Sequence, residues 1–223
     1  MELIKEIVIA THNSDKKKEI VFALQDLDIK ILSLDNFPKI GEIEETGSTL
    51  LENSFIKART VSAMTGKAAI ADDTGLEVDA LNGAPGIYSA RYAGINVSYE
   101  DNVRKLLSEM SLVDDENRTA RFRTVMSFHS SNKEFWTEGV AEGSITREEI
   151  GKGGFGYDPV FRSKQTGKTF AEMTTQEKNK IRKDIYRINC YQLTNKLKVG
   201  YKKHILIFLG HCADRVQCST PEP

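Results

Sequence analysis

No stretch of this chain is apolar for long enough to cross a bilayer. An uninterrupted run such as Ile205 to Leu209, which no other run exceeds, falls far short of the roughly 20 residues a membrane helix requires. No basic-then-apolar leader opens the chain, because Met1-Glu2-Leu3-Ile4-Lys5-Glu6 runs directly into a strand-like segment. Cysteine is scarce, odd in number and late (Cys190, Cys212, Cys218). That excludes a disulfide framework and predicts a reducing compartment, the cytoplasm. His12 and His129 stand at no metal-ligand spacing, and no Ser-His-Asp or Cys-His arrangement suggests itself. Internal repeats, low-complexity tracts and clear linkers are also missing. What is present is a folding composition: 223 residues, 39% hydrophobic and 28% charged, with enough apolar material to offset chain entropy. The size suits one large domain or two tightly joined lobes.

The formal net charge of -1 conceals an uneven distribution. Of 31 Lys and Arg and 32 Asp and Glu, residues 182–223 hold eight and three, which leaves 23 and 29 before them. An acidic body of residues 1–181 is therefore set apart from a basic tail of residues 182–223. Such a tail could contact nucleic acid, but cations without a recognition motif usually form a solvated surface, so a nucleic-acid partner is not expected.

The opening reads strand, polar loop, helix. Glu6 to Ala10 is a β-branched run suited to a buried strand, and Thr11 to Asp15 is rich in helix N-cap types. Ile20, Val21, Phe22, Leu24 and Leu27 then form a helical stripe. A second strand is predicted over residues 29–34, an acidic loop over 37–46, and a helix from Ser48 or Thr49 to about Met64. Ala68 to Ala71 reads as a short strand ending in Asp72-Asp73 and continued by Leu76 to Ala80. A helix over 98–110 and period-two strands over 118–129 and 135–145 complete the reading. The fold class is α/β: a long mixed central sheet flanked by helices, in two lobes with the site in the cleft between them.

Four segments have the residue types for chemistry. Thr11-His12-Asn13-Ser14-Asp15-Lys16 lies between a strand and a helix, where free backbone N–H groups and a nearby cation suit phosphate. It lacks the glycines of a Walker A loop, and an ordinary cap followed by a solvated lysine face explains it equally. Glu44, Glu45, Asp72 and Asp73 form a set of acids. Adjacent carboxylates at a strand end call for a cation, and Mg²⁺ with phosphate ligands is one answer. A turn cap with one solvated aspartate is the other. Gly151-Lys152-Gly153-Gly154-Phe155-Gly156-Tyr157-Asp158-Pro159 lets backbone approach a ligand and offers aromatic faces to a base, or else closes a hairpin over the core. Ser89 and Arg91, two apart in Ala84 to Tyr92, project to one face of an extended segment. Trp136 is read as a packing residue.

Several of these stretches occur together in one family. Ile9 to Lys16, Glu44-Glu45-Thr46-Gly47, Glu52-Asn53 with Lys57-Ala58-Arg59, Ala71-Asp72-Asp73-Thr74-Gly75-Leu76, Gly83 to Tyr92, Gly153 to Pro159, and Ala171-Glu172-Met173-Thr174 leading to Glu177-Lys178-Asn179-Lys180-Ile181 stand in its order and at its distances. Over about residues 6–181 the chain resembles the inosine/xanthosine triphosphate pyrophosphatases, most closely the bacterial branch. The resemblance implies Mg²⁺-dependent hydrolysis of ITP, dITP and XTP to the monophosphate and pyrophosphate, cleaning the nucleotide pool, by a cytoplasmic homodimer. It also implies roles. Thr11, His12, Asn13, Ser14, Asp15 and Lys16 hold the triphosphate, and Lys57 is a weaker phosphate contact. Glu44 and Asp73 bind the metal with Asp72 beside them. Asp73 is the base for the attacking water, and Thr74 touches substrate. Phe155, Gly156, Tyr157 and Asp158 shape the base pocket, with Phe155 stacking on the purine, and Lys178 contacts substrate.

The likeness stops abruptly. Where the family continues Ser-His-Arg, which supplies donors to the purine carbonyl, this chain reads Arg182-Lys183-Asp184-Ile185-Tyr186. The terminus is read as replaced. The expectation is weakened or absent activity and a lost preference for inosine nucleotides. The alternative function is a variant with impaired or no catalysis that binds nucleotide or pairs with an intact subunit.

Overall fold

The computed structural model describes residues 4–24, 29–174, 176–178 and 181. The basic tail and the Lys183-Asp184 substitution lie outside the described residues. Strand β1 (Glu6–Ile9) leads to helix α1 (Ser14–Leu24), and β2 (Lys30–Ser33) follows. Helix α2 (Leu50–Thr65) precedes the long β3 (Ala68–Val78), after which come the short β4 (Pro85–Gly86) and α3 (Tyr99–Glu109). The hairpin of β5 (Thr119–Ser130) and β6 (Lys133–Ile145), then β7 (Phe161–Ser163), complete the order. The expected mixed α/β sheet is present. Its strand order is β2-β1-β3-β5-β6-β7, with β4 paired to β3. β1 runs parallel to β2 and β3, whereas every pairing beyond β3 is antiparallel.

Strand alternation divides the parallel half into two faces. Ile7, Ile9 and Ile70 pack with Ile20 and Leu24 of α1. Val8, Ala10, Ala69 and Ala71 pack with Ala58 and Val61 of α2. The two helices therefore lie on opposite sides of β1 and β3, as side chains that alternate along a strand require. A third cluster, built on Leu76, Leu106, Phe161 and Phe170, fills the antiparallel half. Two local devices fix α2. Thr49 caps it by accepting the Glu52 N–H at 3.1 Å, and Gly66 ends it in the left-handed region with φ 67°.

The sequence reading ended a strand at Asp72-Asp73, but β3 runs unbroken through them. What stops there is the neighbouring strand. The last bond across that edge is from Ala10 N–H to the Ile70 carbonyl, at 2.7 Å. β4 then resumes the edge at Leu76 and Glu77. At Gly75 an added Cβ would lie 2.5 Å from the Gly86 carbonyl oxygen, so β4 can close in only on glycine. Between the two pairings, β3 has an open edge over residues 71–75.

Arg118 organises the far end of the molecule. Buried at 3% exposure, it donates to the carbonyls of Ile145, Met110, Val113 and Thr146 at 2.6–3.3 Å. One side chain thus joins the end of α3 to the end of β6. Arg118→Met strips these buried acceptors of their donor, and we expect a loss of roughly 3 kcal/mol in urea unfolding. A loss under about 0.5 kcal/mol would show that water replaces the guanidinium without cost.

Candidate active site

The open edge of β3 faces a cavity of about 360 Å³, a size suited to a small ligand. Thr11, Asn13, Lys16 and Lys57 enter it from the parallel half; Phe122, Phe155, Tyr157 and Phe170 enter it from the antiparallel half. The cavity is thus the cleft anticipated between two lobes, and Lys16 and Asp73 share it.

Alternation along β3 distributes the two aspartates. Asp72 shares the α1 face, where Lys16 Nζ lies 2.8 Å from its Oδ2. Asp73 shares the α2 face, where Lys57 Nζ lies 3.3 Å from its Oδ1 and 2.7 Å from Glu45 Oε1. The cleft therefore wraps the strand edge, with one lysine on each side. Burial pushes the Asp73 carboxyl above its ordinary value; Glu45 and Asp72 reinforce this, and Lys57 and Lys16 oppose it. For Lys57, burial favours the neutral amine, but the carboxylates of Asp73, Asp72 and Glu45 outweigh it and hold the ammonium above its usual value.

The opening loop forms the helix cap read from its sequence, and Thr11, Asn13 and Lys16 line the cavity. Asn13 Oδ1 accepts the Lys16 N–H at 3.2 Å, and Thr11 Oγ1 accepts the Asn13 N–H at 3.2 Å, so the loop caps α1 while facing the cleft. His12 and Ser14 are exposed and outside the cavity wall. The His12 ring instead meets the Gly41 carbonyl at 3.0 Å, which ties this loop to the acidic one. Asp15 lies in the first turn of α1, and its side chain lies outside the described residues.

Glu44, assigned to the metal above, is exposed and absent from the wall; its neighbour Glu45 stands there instead. Exposure alternates from Glu42 to Gly47, so adjacent acids in this extended loop face opposite ways. Glu45 and Asp73 are hard oxygen donors already sharing a cation in the Lys57 ammonium. That donor set fits Mg²⁺, which takes one or two carboxylates and completes its shell with water and phosphate. Among the described residues no group of three or more His, Cys, Asp or Glu could hold a metal, so a closed all-protein cage is not what the cleft offers.

The aromatic end is equally defined. Asp158 is buried and accepts the Phe155 N–H at 2.8 Å, and it pairs with the buried Lys178 ammonium. That ammonium lies 4.9 Å from the Phe155 ring centroid. Gly154, at φ 82°, packs where a Cβ would collide with the Asp158 carboxylate, so this turn closes only with glycine. Tyr157 donates its hydroxyl to the Ser89 carbonyl at 3.0 Å; Ser89–Arg91 forms a 3₁₀ turn and not the extended segment expected, and Ser89 Oγ accepts the Leu76 N–H at 2.8 Å and donates to the Gly86 carbonyl at 2.6 Å. Gly156 and Thr74 line the cavity, and Thr74 Oγ1 lies 3.0 Å from Thr124 Oγ1. Sequence reasoning missed Tyr99 and Asn102 in the wall. They lie at the start of α3, and Tyr99 reaches within 6.1 Å of the Phe155 ring, centroid to centroid. Neither belongs to a motif, so only packing places them there.

The model of the Ham1 family matches residues 7–184. The chain belongs to the Ham1 family. Among its Ham1 relatives, the Bacillus licheniformis dITP/XTP pyrophosphatase is 48% identical over 179 residues, 80% of this chain and 91% of that protein. The Bacillus subtilis dITP/XTP pyrophosphatase is 46% identical over 182 residues, 81% of this chain and 92% of that protein. The solved structure of a HAM1 protein from Coxiella burnetii superposes with a TM-score of 0.78 at 42% identity, covering 89% of this chain and all of the other. The Staphylococcus aureus Ham1 protein gives the same TM-score and coverage at 37% identity. Among the described residues no helix is long and apolar enough to cross a membrane.

Proposed function

We propose that the protein hydrolyses purine nucleoside triphosphates of the dITP, ITP and XTP type to the monophosphate and pyrophosphate, with Mg²⁺. The observation that carries this reading is the cleft along the open edge of β3. It sets Lys16, Lys57, Glu45 and Asp73 at one end and the Phe155 ring at the other. A polyanion suits the first end and a flat base the second. The kinship with dITP/XTP pyrophosphatases supports the substrate class.

In this reading the capped start of α1 and Lys16 bind the phosphates, while Phe155 stacks on the base and sets the reach between the two ends. Asp73 takes a proton from the attacking water, a task suited to a buried carboxylate whose affinity for protons is raised. Lys16 and Lys57 then balance charge on the departing pyrophosphate. Glu45 and Asp73 would hold the metal, which supplies Lewis-acid polarisation of the phosphate oxygens. Thr74, at the β3 edge, orients substrate, and Lys178 acts through the Phe155–Asp158 turn.

The test is pyrophosphate release from dITP and XTP by the full chain with Mg²⁺, with and without a chelator. Metal-dependent release supports the reading. Binding without turnover would instead favour the impaired variant that the residue 182–184 departure suggests. Metal-independent release would refute the Mg²⁺ assignment. A homodimer is part of the same proposal. Trp136, read from sequence as packing, is 40% exposed beside a groove lined by Tyr88, Pro85 and Arg123, a surface suited to burial against a second copy. Sedimentation should then return twice the 25.0 kDa chain mass; a monomer at tens of micromolar would rule it out.

A further inference from the structure

We infer that Lys57 is the built-in counter-ion of Glu45 and Asp73, so that a divalent ion enters only together with the phosphates of the nucleotide. This rests on reading the cleft as a metal-assisted triphosphate site. The Lys57 ammonium already occupies the ground between Glu45 and Asp73, at 2.7 and 3.3 Å from the two carboxylates that the ion would use. Its side chain is only 12% exposed, so it is a fixed part of the cleft and not a passing surface contact.

The fold restricts where that ammonium can go. Lys57 stands on α2, which is capped at Thr49 and packed through the fully buried Ala58 and Val61 against the sheet. The backbone is thus held, and only the side-chain stem can turn. Lys16 is not a substitute, because its carboxylate partner is Asp72 on the opposite face of β3.

Two consequences follow from charge alone. A lone divalent ion approaching Glu45 and Asp73 meets a cation already bonded to both, and must displace it against like-charge repulsion. Mg²⁺ also gives up its waters reluctantly and gains less from two carboxylates that already share an ammonium. Phosphate oxygens reverse both terms. They complete the shell of the ion, and they give the displaced ammonium an anion within reach of its stem. Ion and nucleotide are therefore coupled ligands, each raising the affinity of the other, as linkage requires.

The experiment measures Mn²⁺ as the probe, by the electron paramagnetic resonance signal of the free ion. The wild type, Lys57→Met and Lys57→Arg are compared with and without α,β-methylene-ITP. We expect the wild type to bind Mn²⁺ at least tenfold more tightly with the analogue than without it. Without nucleotide, Lys57→Met should bind Mn²⁺ at least tenfold more tightly than the wild type, while Lys57→Arg, which keeps the charge, should stay weak. If Lys57→Met folds poorly, Lys57→Gln serves the same comparison, and Mn²⁺ should raise the melting temperature of either neutral variant more than that of the wild type. Equal nucleotide-free affinity across the variants, with tight binding in the presence of the analogue, would overturn the counter-ion role while leaving the metal-assisted reading intact. Absence of Mn²⁺ binding in every protein, even with the analogue, would overturn both.

Discussion

Replacing Asp73 by Asn should lower kcat for dITP by about 10²–10⁴, the usual contribution of a positioned general base. In barrier terms that is roughly 3–5.5 kcal/mol. The exchange keeps shape and removes charge. It therefore takes away the proton acceptor and one of the two carboxylates that Lys57 bridges, without opening a cavity. Stability should not fall in parallel, because burial already disfavours the ionised form of Asp73, and the Asn variant no longer has to bury that charge. Asp72→Asn is the informative companion. Asp72 is equally buried but sits on the α1 face paired with Lys16, so its loss should act through phosphate binding, raising KM more than it lowers kcat. Steady-state pyrophosphate release with thermal melts of both variants decides the matter. If Asp73→Asn retains more than a tenth of wild-type kcat, this residue is not the base.

The pattern of residues foretold the elements better than it foretold their neighbours. The β-branched run of β1, the cap types after it and the apolar stripe of α1 are local signals, and each element appears where they place it. The open edge of β3 is not local. It exists because β1 leaves the sheet after Ala10 and β4 joins only at Leu76, and neither fact is written near Asp72 or Asp73. For that reason a strand end was inferred where there is only a missing neighbour. Which of Glu44 and Glu45 faces the cleft is a question of the same kind. Two adjacent acids in an irregular loop have no periodicity to separate them, and only the Lys57 contact does. The pairing of Lys178 with Asp158, and the presence of Tyr99 beside Phe155, join segments that sequence shows only as separate motifs or not at all.

The ratio of kcat/KM for ITP over ATP should fall to within about tenfold of unity. A site that selects by hydrogen bonds to a buried polar group can reach 10⁴–10⁵. ITP and ATP differ along one edge of the base, where ITP has a carbonyl oxygen and an N1–H and ATP has an amino group and an unprotonated N1, so preference for ITP requires donors aimed at that oxygen or an acceptor aimed at N1–H. Several polar side chains of the cleft wall near Phe155 already serve the protein itself. The Asn102 amide joins the Ala90 carbonyl and the Ala93 N–H; Ser89 Oγ donates to the Gly86 carbonyl; Tyr157 donates to the Ser89 carbonyl. Lys178 is committed to Asp158 beside the Phe155 ring. Stacking on Phe155 does not discriminate, since both purines present the same flat face. Selection would then fall to the segment after Ile181, where this chain reads Arg182-Lys183-Asp184. An ionised aspartate only accepts, so it cannot donate to the carbonyl of ITP. Asp184→Arg replaces an acceptor by a donor and, combined with Lys183→His, recreates the His-Arg pair of the family, which should raise the ITP:ATP ratio by at least tenfold. An unaltered chain that prefers ITP by 10³ or more would show instead that the donors reside among the residues already lining the cleft.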